Sequence, residues 1–280
     1  MDPRLTPARP DLAAESLRGA VEAERYVAPE RRRVLVGLLP LRAAPADKGL
    51  AAELPHGLEV DVYEVAANGM AWVQSARDGY VGYVPAAALE APSPPATHRV
   101  SAPLSHLYGL WGAPDLKSAP FFPLPMNARL SGRIEGEWFL THDAKAVPAR
   151  HVAPLDAPEA DWVAAAERLL GAPYLWGGHS LLGVDCSGLV QEALDAAGVA
   201  FPRDSDLQAA AGAPADPDAL RRGDLVFWRG HVGIMLDGAT LLHANAHHMA
   251  VAAEPLADAV ARIAATETGA PTAFRRPTGD

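Results

Sequence analysis

Cysteine is almost absent from this sequence, since Cys186 is the only one among 280 residues. A single cysteine excludes an internal disulfide, which suits a reducing compartment. Long apolar runs are also lacking: no stretch of about 18 apolar residues is present to form a membrane-spanning helix. The first thirty residues contain no continuous apolar stretch of signal-peptide length. From these absences we expect a cytoplasmic protein without a membrane partner.

Basic charge is the second shortage. The chain has 24 Lys and Arg against 34 Asp and Glu, which gives a formal net charge of -10. Such a chain repels phosphate backbones, so we expect no nucleic-acid partner. Hydrophobic residues make up 49% of the sequence and charged residues 21%. This is an ordinary composition for a globular chain, and the length predicts two domains, or three if some are small.

Proline and alanine cluster at residues 91–96 and 154–160, and both clusters are typical of linkers. Between residues 31 and 90, short alternating runs separated by Asn-Gly and Asp-Gly turns predict a small β-barrel. A weaker pattern of the same kind predicts a second barrel between residue 97 and about residue 153. Residues 11–26 have a thin apolar face at helical spacing, which predicts an amphipathic helix.

The pattern changes after residue 160, where helices precede strands. One helix is predicted over 161–170 and a second from near Cys186 to Gly198. Strands are predicted over 224–228, 231–236 and 240–244, with a turn at Asp237-Gly238. Helices followed by an antiparallel meander predict an α+β domain.

Cys186 falls in the first turn of the predicted second helix. Unpaired N–H groups and the helix dipole favour a thiolate there, so the position suits a nucleophile. His231 opens a strand and is the candidate base. A three-residue hairpin loop pairs Leu236 with Thr240, and in this register we expect His243 opposite His231, on the same face. His243 would then orient the ring of His231.

Each of these residues also has a structural interpretation. A free cysteine is more often a buried, inert residue, and a single histidine is more often structural than catalytic. The polar neighbours of Cys186 and the hairpin geometry that couples the two histidines favour catalysis. A metal site formed by Cys186, His231 and the histidines at 247 and 248 is not expected, since no short-spaced ligand pair matches a structural zinc pattern.

A set of motifs identifies a family resemblance. The motifs, in chain order, are Tyr174-Leu-Trp-Gly-Gly, Asp185-Cys-Ser-Gly-Leu-Val, Pro202-Arg-Asp-Ser-Asp-Leu-Gln208, Arg222-Gly-Asp-Leu-Val-Phe-Trp228, His231-Val-Gly-Ile and Leu242-His-Ala244. Together they resemble the NlpC-type family of bacterial cell-wall cysteine peptidases. The resemblance implies a papain-like fold with Cys186 as nucleophile, His231 as base and His243 as the orienting residue. The upstream barrels resemble paired bacterial SH3-like domains.

With this resemblance the predicted division of the chain has four parts. They are an N-terminal, partly helical segment over 1–30, a first SH3-like β-barrel over 31–91, a second over 97–155 and a papain-like catalytic domain over 160–276. The predicted fold class is α+β, with the papain-like domain preceded by two small barrels.

Family members with two SH3-like domains and no export signal resemble intracellular enzymes of muropeptide recycling. In these relatives the tyrosine matching Tyr174 borders the catalytic centre, and residues matching Asp185, Ser187 and Ser205 help to form the substrate pocket. The first SH3-like domain caps the site with an acid and a tyrosine that reach the substrate amine. The candidates here are Asp47 or Glu53 for the acid and Tyr80 or Tyr83 for the tyrosine.

The resemblance therefore predicts a γ-D-glutamyl-L-diamino acid endopeptidase. Its substrate would be a murein tripeptide or related muropeptide with free N-terminal L-alanine, and no cofactor is expected. The oxyanion of the acyl transfer would be held by the Cys186 backbone N–H and the Tyr174 hydroxyl. Two alternatives remain: an amidase or acyltransferase of other acyl specificity, and a catalytically vestigial module that binds cell-wall peptides.

Overall fold

A computed structural model describes residues 1–92, 94–109 and 115–277. The chain divides into two compact units, Met1–Leu155 and Asp156–Asp280, and each is described in turn. The predicted bounds of the four parts stay predictions.

The first unit is built from short strands joined by turns and single turns of 3-10 helix. Its strands are β1 (Leu12–Ala14), β2 (Arg25–Val27), β3 (Glu30–Val34), β4 (Leu38–Leu41), β5 (Ala52–Pro55), β6 (Glu59–Val65), β7 (Met70–Ser75), β8 (Val81–Pro85), β9 (Leu89–Glu90), β10 (His98–Val100), β11 (Leu104–Tyr108), β12 (Phe121–Pro125), β13 (Arg129–Leu130), β14 (Gly132–Glu135), β15 (Trp138–Thr141), β16 (Ala146–Pro148) and β17 (Val152–Pro154).

One group of strands forms a five-stranded sheet in the order β8-β7-β6-β3-β9, together with the β4–β5 hairpin. Alternation along β6 explains how it is packed: Val60 and Val62 are buried, while Asp61 between them is partly exposed. The turn between β6 and β7 contains Gly69 with φ +79°, a conformation that glycine adopts without strain. These strands enclose an apolar core that includes Val34, Leu41 and Val73.

A second group forms a sheet in the order β12-β11-β16-β15-β14 and a three-stranded sheet in the order β13-β10-β17. Its separate core includes Leu107, Leu124 and Phe139. The two groups approach each other closely at Gly57, where a Cβ atom would lie 2.1 Å from the carbonyl oxygen of Arg129. Glycine is therefore required at that contact, both for space and for its φ of +76°.

The predicted amphipathic helix over residues 11–26 is wrong. Residues Leu12–Ala14 form β1, which pairs in parallel with β2, and only Glu15–Leu17 form one turn of 3-10 helix. The physical reason is the burial pattern, because Leu12, Ala13 and Ala14 are all buried. Three consecutive buried residues fit an extended segment covered on both faces, not a helix with one apolar face.

The second unit contains all four described α-helices. Its elements are α1 (Trp162–Glu167), β18 (His179–Ser180), β19 (Gly183–Val184), α2 (Cys186–Ala196), α3 (Ser205–Ala209), β20 (Ala213–Pro214), β21 (Leu225–Trp228), β22 (His231–Met235), β23 (Thr240–Asn245), β24 (Ala250–Pro255), α4 (Leu256–Ala264) and β25 (Ala273–Arg276).

A six-stranded sheet in the order β20-β25-β21-β22-β23-β24 organises the second unit. Helix α2 packs against β22 and β23. Helix α4 packs on a cluster formed by Val226, Trp228, Met235 and Leu241. Helices combined with an antiparallel sheet confirm the predicted α+β class. The two strands and the helix that carry the candidate catalytic residues are therefore packed directly against one another.

Candidate active site

The strand-to-helix junction at Asp185 positions the candidate nucleophile. Asp185 is the N-cap of α2, and its Oδ1 accepts a hydrogen bond of 2.7 Å from the Gly188 backbone N–H. The helix begins at Cys186, as the sequence predicts. Cys186 is 7% exposed, so the sulfur lies just beneath the surface of the second unit.

The thiol of Cys186 is neutral in this environment. Burial and then the charge of Asp185 raise its pKa to about 12, while the backbone N–H groups of Val232 and Ser187 act against the rise by donating to the sulfur. The Ser187 backbone N–H at the helix start favours the thiolate, as the sequence predicts, but burial outweighs this contribution and the net pKa of the thiol is raised.

His231 and His243 form a hydrogen-bonded pair, with 2.8 Å between His231 Nε2 and His243 Nδ1. The predicted loop register is confirmed, since Leu236 N–H donates to Thr240 O and β22 pairs with β23 through Ile234 and Leu242. The expectation that His243 lies directly opposite His231 is wrong.

Continued by one residue, the observed register faces His243 toward Gly233, two residues from His231. The two imidazoles therefore lie on the same face, as the sequence predicts, but as diagonal neighbours. Long side chains in diagonal positions are still close enough to make contact. Glycine at 233 leaves the space between them free of a side chain, and a Cβ there would lie 2.7 Å from Leu241.

Both imidazoles are held in the neutral form. Burial, and then the neighbouring His243 and Arg262, lower the pKa of His231 to about 3. Burial also lowers the pKa of His243, although its hydrogen bond to Glu254 acts in the opposite direction. The Val232 backbone N–H donates to the sulfur, so the neutral thiol lies beside the strand of His231, whose neutral imidazole has one nitrogen free to accept a proton.

Glu254 and Arg262 extend this arrangement. Glu254 lies on β24 and is paired with Leu241, which places its side chain on the same face as His243. Its Oε1 lies 2.7 Å from His243 Nε2, and Arg262 of α4 binds both carboxylate oxygens at 2.6 Å. The ion pair with Arg262 lowers the pKa of Glu254 to about 2. Four side chains therefore form a continuous chain of hydrogen bonds from β22 to α4.

Asp185 is bound by a buried arginine. Arg203, 1% exposed at its side chain, donates to both carboxylate oxygens at 3.1 and 2.7 Å, and also to the hydroxyl of Ser187 at 2.9 Å. The Gly177 backbone N–H donates to the same carboxylate at 2.8 Å. Asp185 thus joins three chain segments around the thiol. That Asp185 and Ser187 also contact the substrate stays a prediction.

Tyr174 lies beside these residues. Its backbone pairs with Val184, immediately before the Asp185-Cys186 junction. Burial and the proximity of Cys186 raise the pKa of the Tyr174 phenol to about 12, so it is a proton donor at neutral pH. A cavity of about 290 Å³ opens here, and its lining includes Tyr174, His231, His243, Arg262, Thr266 and Thr268. Ser205, the remaining predicted pocket residue of this unit, is the partly exposed first residue of α3.

The other four predicted substrate residues belong to the first unit. Tyr80 is 8% exposed and contributes to the core around β7, whereas the Tyr83 hydroxyl accepts a hydrogen bond of 3.1 Å from Arg9. Asp47 is exposed, and Glu53 lies partly exposed on β5. Their contact with a substrate stays a prediction.

One group of described residues has the donor types of a metal site. The ligand atoms of His243, His248 and Glu254 lie within 4.8 Å of one another. Arg262, however, already places a guanidinium on both oxygens of Glu254. A metal ion there would have to displace this cation, so the observed contacts favour a hydrogen-bonded network.

Sequence reasoning missed Arg203, Glu254 and Arg262. Arg203 was visible only as part of a motif, and its pairing with Asp185 depends on a loop of irregular structure. Glu254 is detectable in principle, because side chains alternate along paired strands and the register of β24 on β23 puts Glu254 on the same face as His243. That inference requires the register of the turn between the two strands, which has no strong turn signal.

The second unit has the arrangement of a papain-like domain: a cysteine begins a helix, and that helix packs against the antiparallel strands that carry two hydrogen-bonded histidines. Residues 171–264 match the model of the NlpC/P60 family, and residues 41–89 match that of the bacterial dipeptidyl-peptidase Sh3 domain. The chain therefore carries an NlpC/P60 domain preceded by a bacterial SH3-like domain.

Two curated relatives are similar to part of the chain. A gamma-D-glutamyl-L-lysine dipeptidyl-peptidase of Bacillus subtilis (strain 168) is 33% identical over 181 residues, which is 59% of this chain and 60% of that protein. A probable endopeptidase of Corynebacterium glutamicum (strain R) is 36% identical over 123 residues, 39% of this chain and 58% of that protein. The matches thus span about three fifths of the length of these relatives.

Two solved structures share the fold. The crystal structure of an NlpC/P60 family protein from Bacillus cereus ATCC 10987 has a TM-score of 0.73 at 20% identity, and the match covers 88% of this chain and 99% of that one. An NlpC/P60 endopeptidase from Photobacterium damselae subsp. piscicida has a TM-score of 0.63 at 13% identity, covering 90% and 74%. These likenesses confirm the predicted fold class.

Among the described residues, the longest helices are far shorter than a bilayer is thick, and none has the length and apolar character to cross a membrane.

Proposed function

We propose that this chain is a cysteine peptidase that hydrolyses the γ-D-glutamyl-L-diamino acid bond of small muropeptides and releases L-Ala-D-Glu. The observation that carries the proposal is the hydrogen bond of 2.8 Å between His231 and His243 on strands that pack against the helix of Cys186. The similarity to a gamma-D-glutamyl-L-lysine dipeptidyl-peptidase supports the choice of bond. L-Lys and meso-diaminopimelate are both candidates for the diamino acid.

The reaction begins from the neutral thiol and imidazole pair. His231 takes the proton of Cys186 as the sulfur attacks the γ-carbonyl of D-glutamate, which avoids a buried thiolate in the resting state. The oxyanion forms near the Cys186 backbone N–H and the Tyr174 hydroxyl. His231 then gives the proton to the leaving amine, and a thioester remains on Cys186. Water, deprotonated by His231, hydrolyses this thioester and restores the thiol.

The free amine of the substrate requires a carboxylate, because an unpaired cation in a closed site is costly. Asp185 in the second unit and Asp47 or Glu53 in the first are the candidates. This requirement is tested by measuring kcat/KM for the tripeptide with its free, cationic amine and for its N-acetyl form, in which the nitrogen is neutral. We expect acetylation to reduce kcat/KM by about 10²-fold, because it removes the cation and leaves the acid unpaired.

The principal test incubates the purified full chain with L-Ala-γ-D-Glu-meso-diaminopimelate and with the L-Lys tripeptide. Mass spectrometry should detect L-Ala-D-Glu and the free diamino acid. Cys186→Ala should lower turnover by at least about 10³-fold while circular dichroism stays unchanged. Activity on another amide without release of the dipeptide would support an amidase or acyltransferase instead. Peptide binding without any turnover would support a vestigial binding module. Cytoplasmic location and a role in recycling stay predictions, which cell fractionation would test.

A further inference from the structure

The carboxylate of Glu254 accepts hydrogen bonds from two sides. His243 Nε2 lies 2.7 Å from Oε1, and the Arg262 guanidinium donates to Oε1 and Oε2, each at 2.6 Å. The side chain of Glu254 is 11% exposed and that of His243 is fully buried. Arginine keeps its proton at any ordinary pH, so the carboxylate that faces it is ionised and acts only as an acceptor.

This acceptor determines where the protons of the two histidines lie. An ionised carboxylate requires the N–H of His243 at Nε2, and a neutral imidazole has only one N–H. His243 Nδ1 is therefore an acceptor for the N–H of His231 at Nε2. The remaining nitrogen of His231, Nδ1, then carries a lone pair, as the base for the Cys186 thiol requires.

We infer that Glu254, held by Arg262, is a positioning residue that selects the tautomers of His243 and His231 needed for proton transfer. The inference rests on the proposed function only in taking His231 as the base. Glu254 touches no reacting atom and acts through His243. When His231 becomes an imidazolium, its Nε2–H still donates to His243, and the anionic end of the chain stabilises the new charge.

The substitution Glu254→Gln tests the direction of the hydrogen bonds with little change in shape. Its amide can donate to His243 Nε2 through its NH₂ group, which then favours the N–H of His243 at Nδ1 and reverses the pair. His231 would carry its proton at Nδ1 and lose its lone pair toward the thiol. We expect kcat to fall by about 10³-fold with KM changed less than about threefold, as a wrong tautomer affects proton transfer and not binding.

A matched control is available within the same unit. Glu167 is also held by an arginine at both oxygens, at 3.2 and 2.7 Å from Arg222, but the bonds described for it involve no histidine. Glu167→Gln removes the same charge from an exposed pair and should leave kcat unchanged. Equal effects of the two substitutions would overturn the inference, because general charge loss would then explain them.

Nitrogen-15 NMR of histidine-labelled full chain reads the tautomers without any substrate. We expect protonated Nε2 in both His231 and His243 of the unsubstituted protein, and protonated Nδ1 in both rings of Glu254→Gln. This result would support the inference even if the tripeptides were not cleaved, in which case only the proposed function would fail. Unchanged tautomers in both Glu254→Gln and Glu254→Leu, whose side chain has no acceptor for His243 Nε2, would overturn the inference whatever the activity.

A second variant covers the case in which Glu254→Gln does not fold. Arg262→Gln keeps the carboxylate but removes its cation, so Glu254 should take up a proton at higher pH. The charged and titratable groups around Glu254 are His243 of β23, His248 in the turn before β24, and Arg262 of α4. We expect the acid limb of kcat to move upward by about one pH unit. Because Arg262 also lowers the pKa of His231 directly, the limb must follow protonation of the Glu254 carboxyl read by carbon-13 NMR; an unmoved limb, or one that moves without that protonation, would overturn the inference.

Discussion

Charged side chains are arranged differently in the two units. The described ion pairs of the first unit keep both side chains in contact with solvent, from 14% exposed at Arg33 upward; Arg31, which binds Asp61 and Glu59 on the neighbouring strand, is 44% exposed. In the second unit Asp185 and Arg203 form an ion pair with side chains 9% and 1% exposed. Glu254 forms an ion pair with Arg262 and a hydrogen bond with the fully buried, neutral His243.

Exposed and buried ion pairs differ in what their loss costs the protein. A surface pair gains little because water already solvates both groups. A buried pair costs desolvation, and its loss leaves a charge without solvent. Such pairs contribute little net stability, so their presence around Cys186 is explained better by the geometry they impose. The first unit can therefore lose its exposed ion pairs at small cost, whereas the second unit cannot lose the buried contacts around Cys186.

The largest effect is expected from Arg203→Met, which leaves Asp185 buried and unpaired. The free energy of unfolding of the second unit should fall by about 3–5 kcal/mol. Hydrogen exchange of the full chain in denaturant, read peptide by peptide, measures this in α2 and checks that the first unit is unaffected. Adding Asp185→Asn should restore part of the loss, because the amide retains the helix cap without a charge. A loss under about 1 kcal/mol would remove the distinction between the units.

The second largest effect is expected from low pH, which should destabilise the second unit. The pKa of Glu254 is held at about 2, below its usual 4.5, so its stabilisation is fully present above about pH 4.5 and is lost as pH falls toward 2. The lowered pKa of His243 acts in the same direction. We expect about 2 kcal/mol of this pH dependence to disappear in Glu254→Gln, measured by denaturant unfolding between those pH values.

Asp143 provides the comparison in the first unit. Hydrogen bonds from Lys145 and Thr141 lower its pKa to about 2 although burial opposes them, and its side chain is 37% exposed. Because solvent screens that site, Asp143→Asn should remove less than about 1 kcal/mol of the pH dependence. A larger effect at Asp143 than at Glu254 would contradict the comparison.

The rate of alkylation of Cys186 tests whether the buried thiol is neutral in the resting protein. Since Cys186 is the only cysteine, iodoacetamide reports on the second unit alone. Burial raises the pKa of Cys186 to about 12, so the rate should rise about tenfold per pH unit between about pH 6 and about pH 9. Mass spectrometry of quenched samples gives the rate. A plateau below about pH 7 would show a thiolate already formed at rest.

The smallest effect is expected from Arg31→Met in the first unit. Its guanidinium lies 2.8 Å from Asp61 and 2.9 Å from Glu59. Loss of these exposed contacts should change the unfolding free energy by less than about 1 kcal/mol, and by still less at high salt. Denaturant unfolding followed in β3 and β6 by hydrogen exchange checks both statements. A cost near that of Arg203→Met would indicate that exposure does not distinguish the pairs.

The sequence predicts the local features of the site well. The helix start at Cys186, the hairpin loop and the shared face of His231 and His243 follow from periodicity and turn chemistry, and all are found. The N-terminal helix was predicted wrongly because apolar spacing alone does not report that Leu12–Ala14 are covered on both faces. The pairing of Arg203 with Asp185 was not predictable because it depends on an irregular loop, and that of Glu254 with His243 required the register of a turn without a strong turn signal.

The burial of Cys186 has a consequence for oxidation. A peroxide reacts with thiolates, and the first product, a sulfenic acid, is normally rescued when a second cysteine condenses with it. This chain has no second cysteine to do so. A sulfur kept protonated beneath the surface reacts slowly with peroxide, so the neutral resting state also protects an unrescued nucleophile from irreversible damage between turnovers.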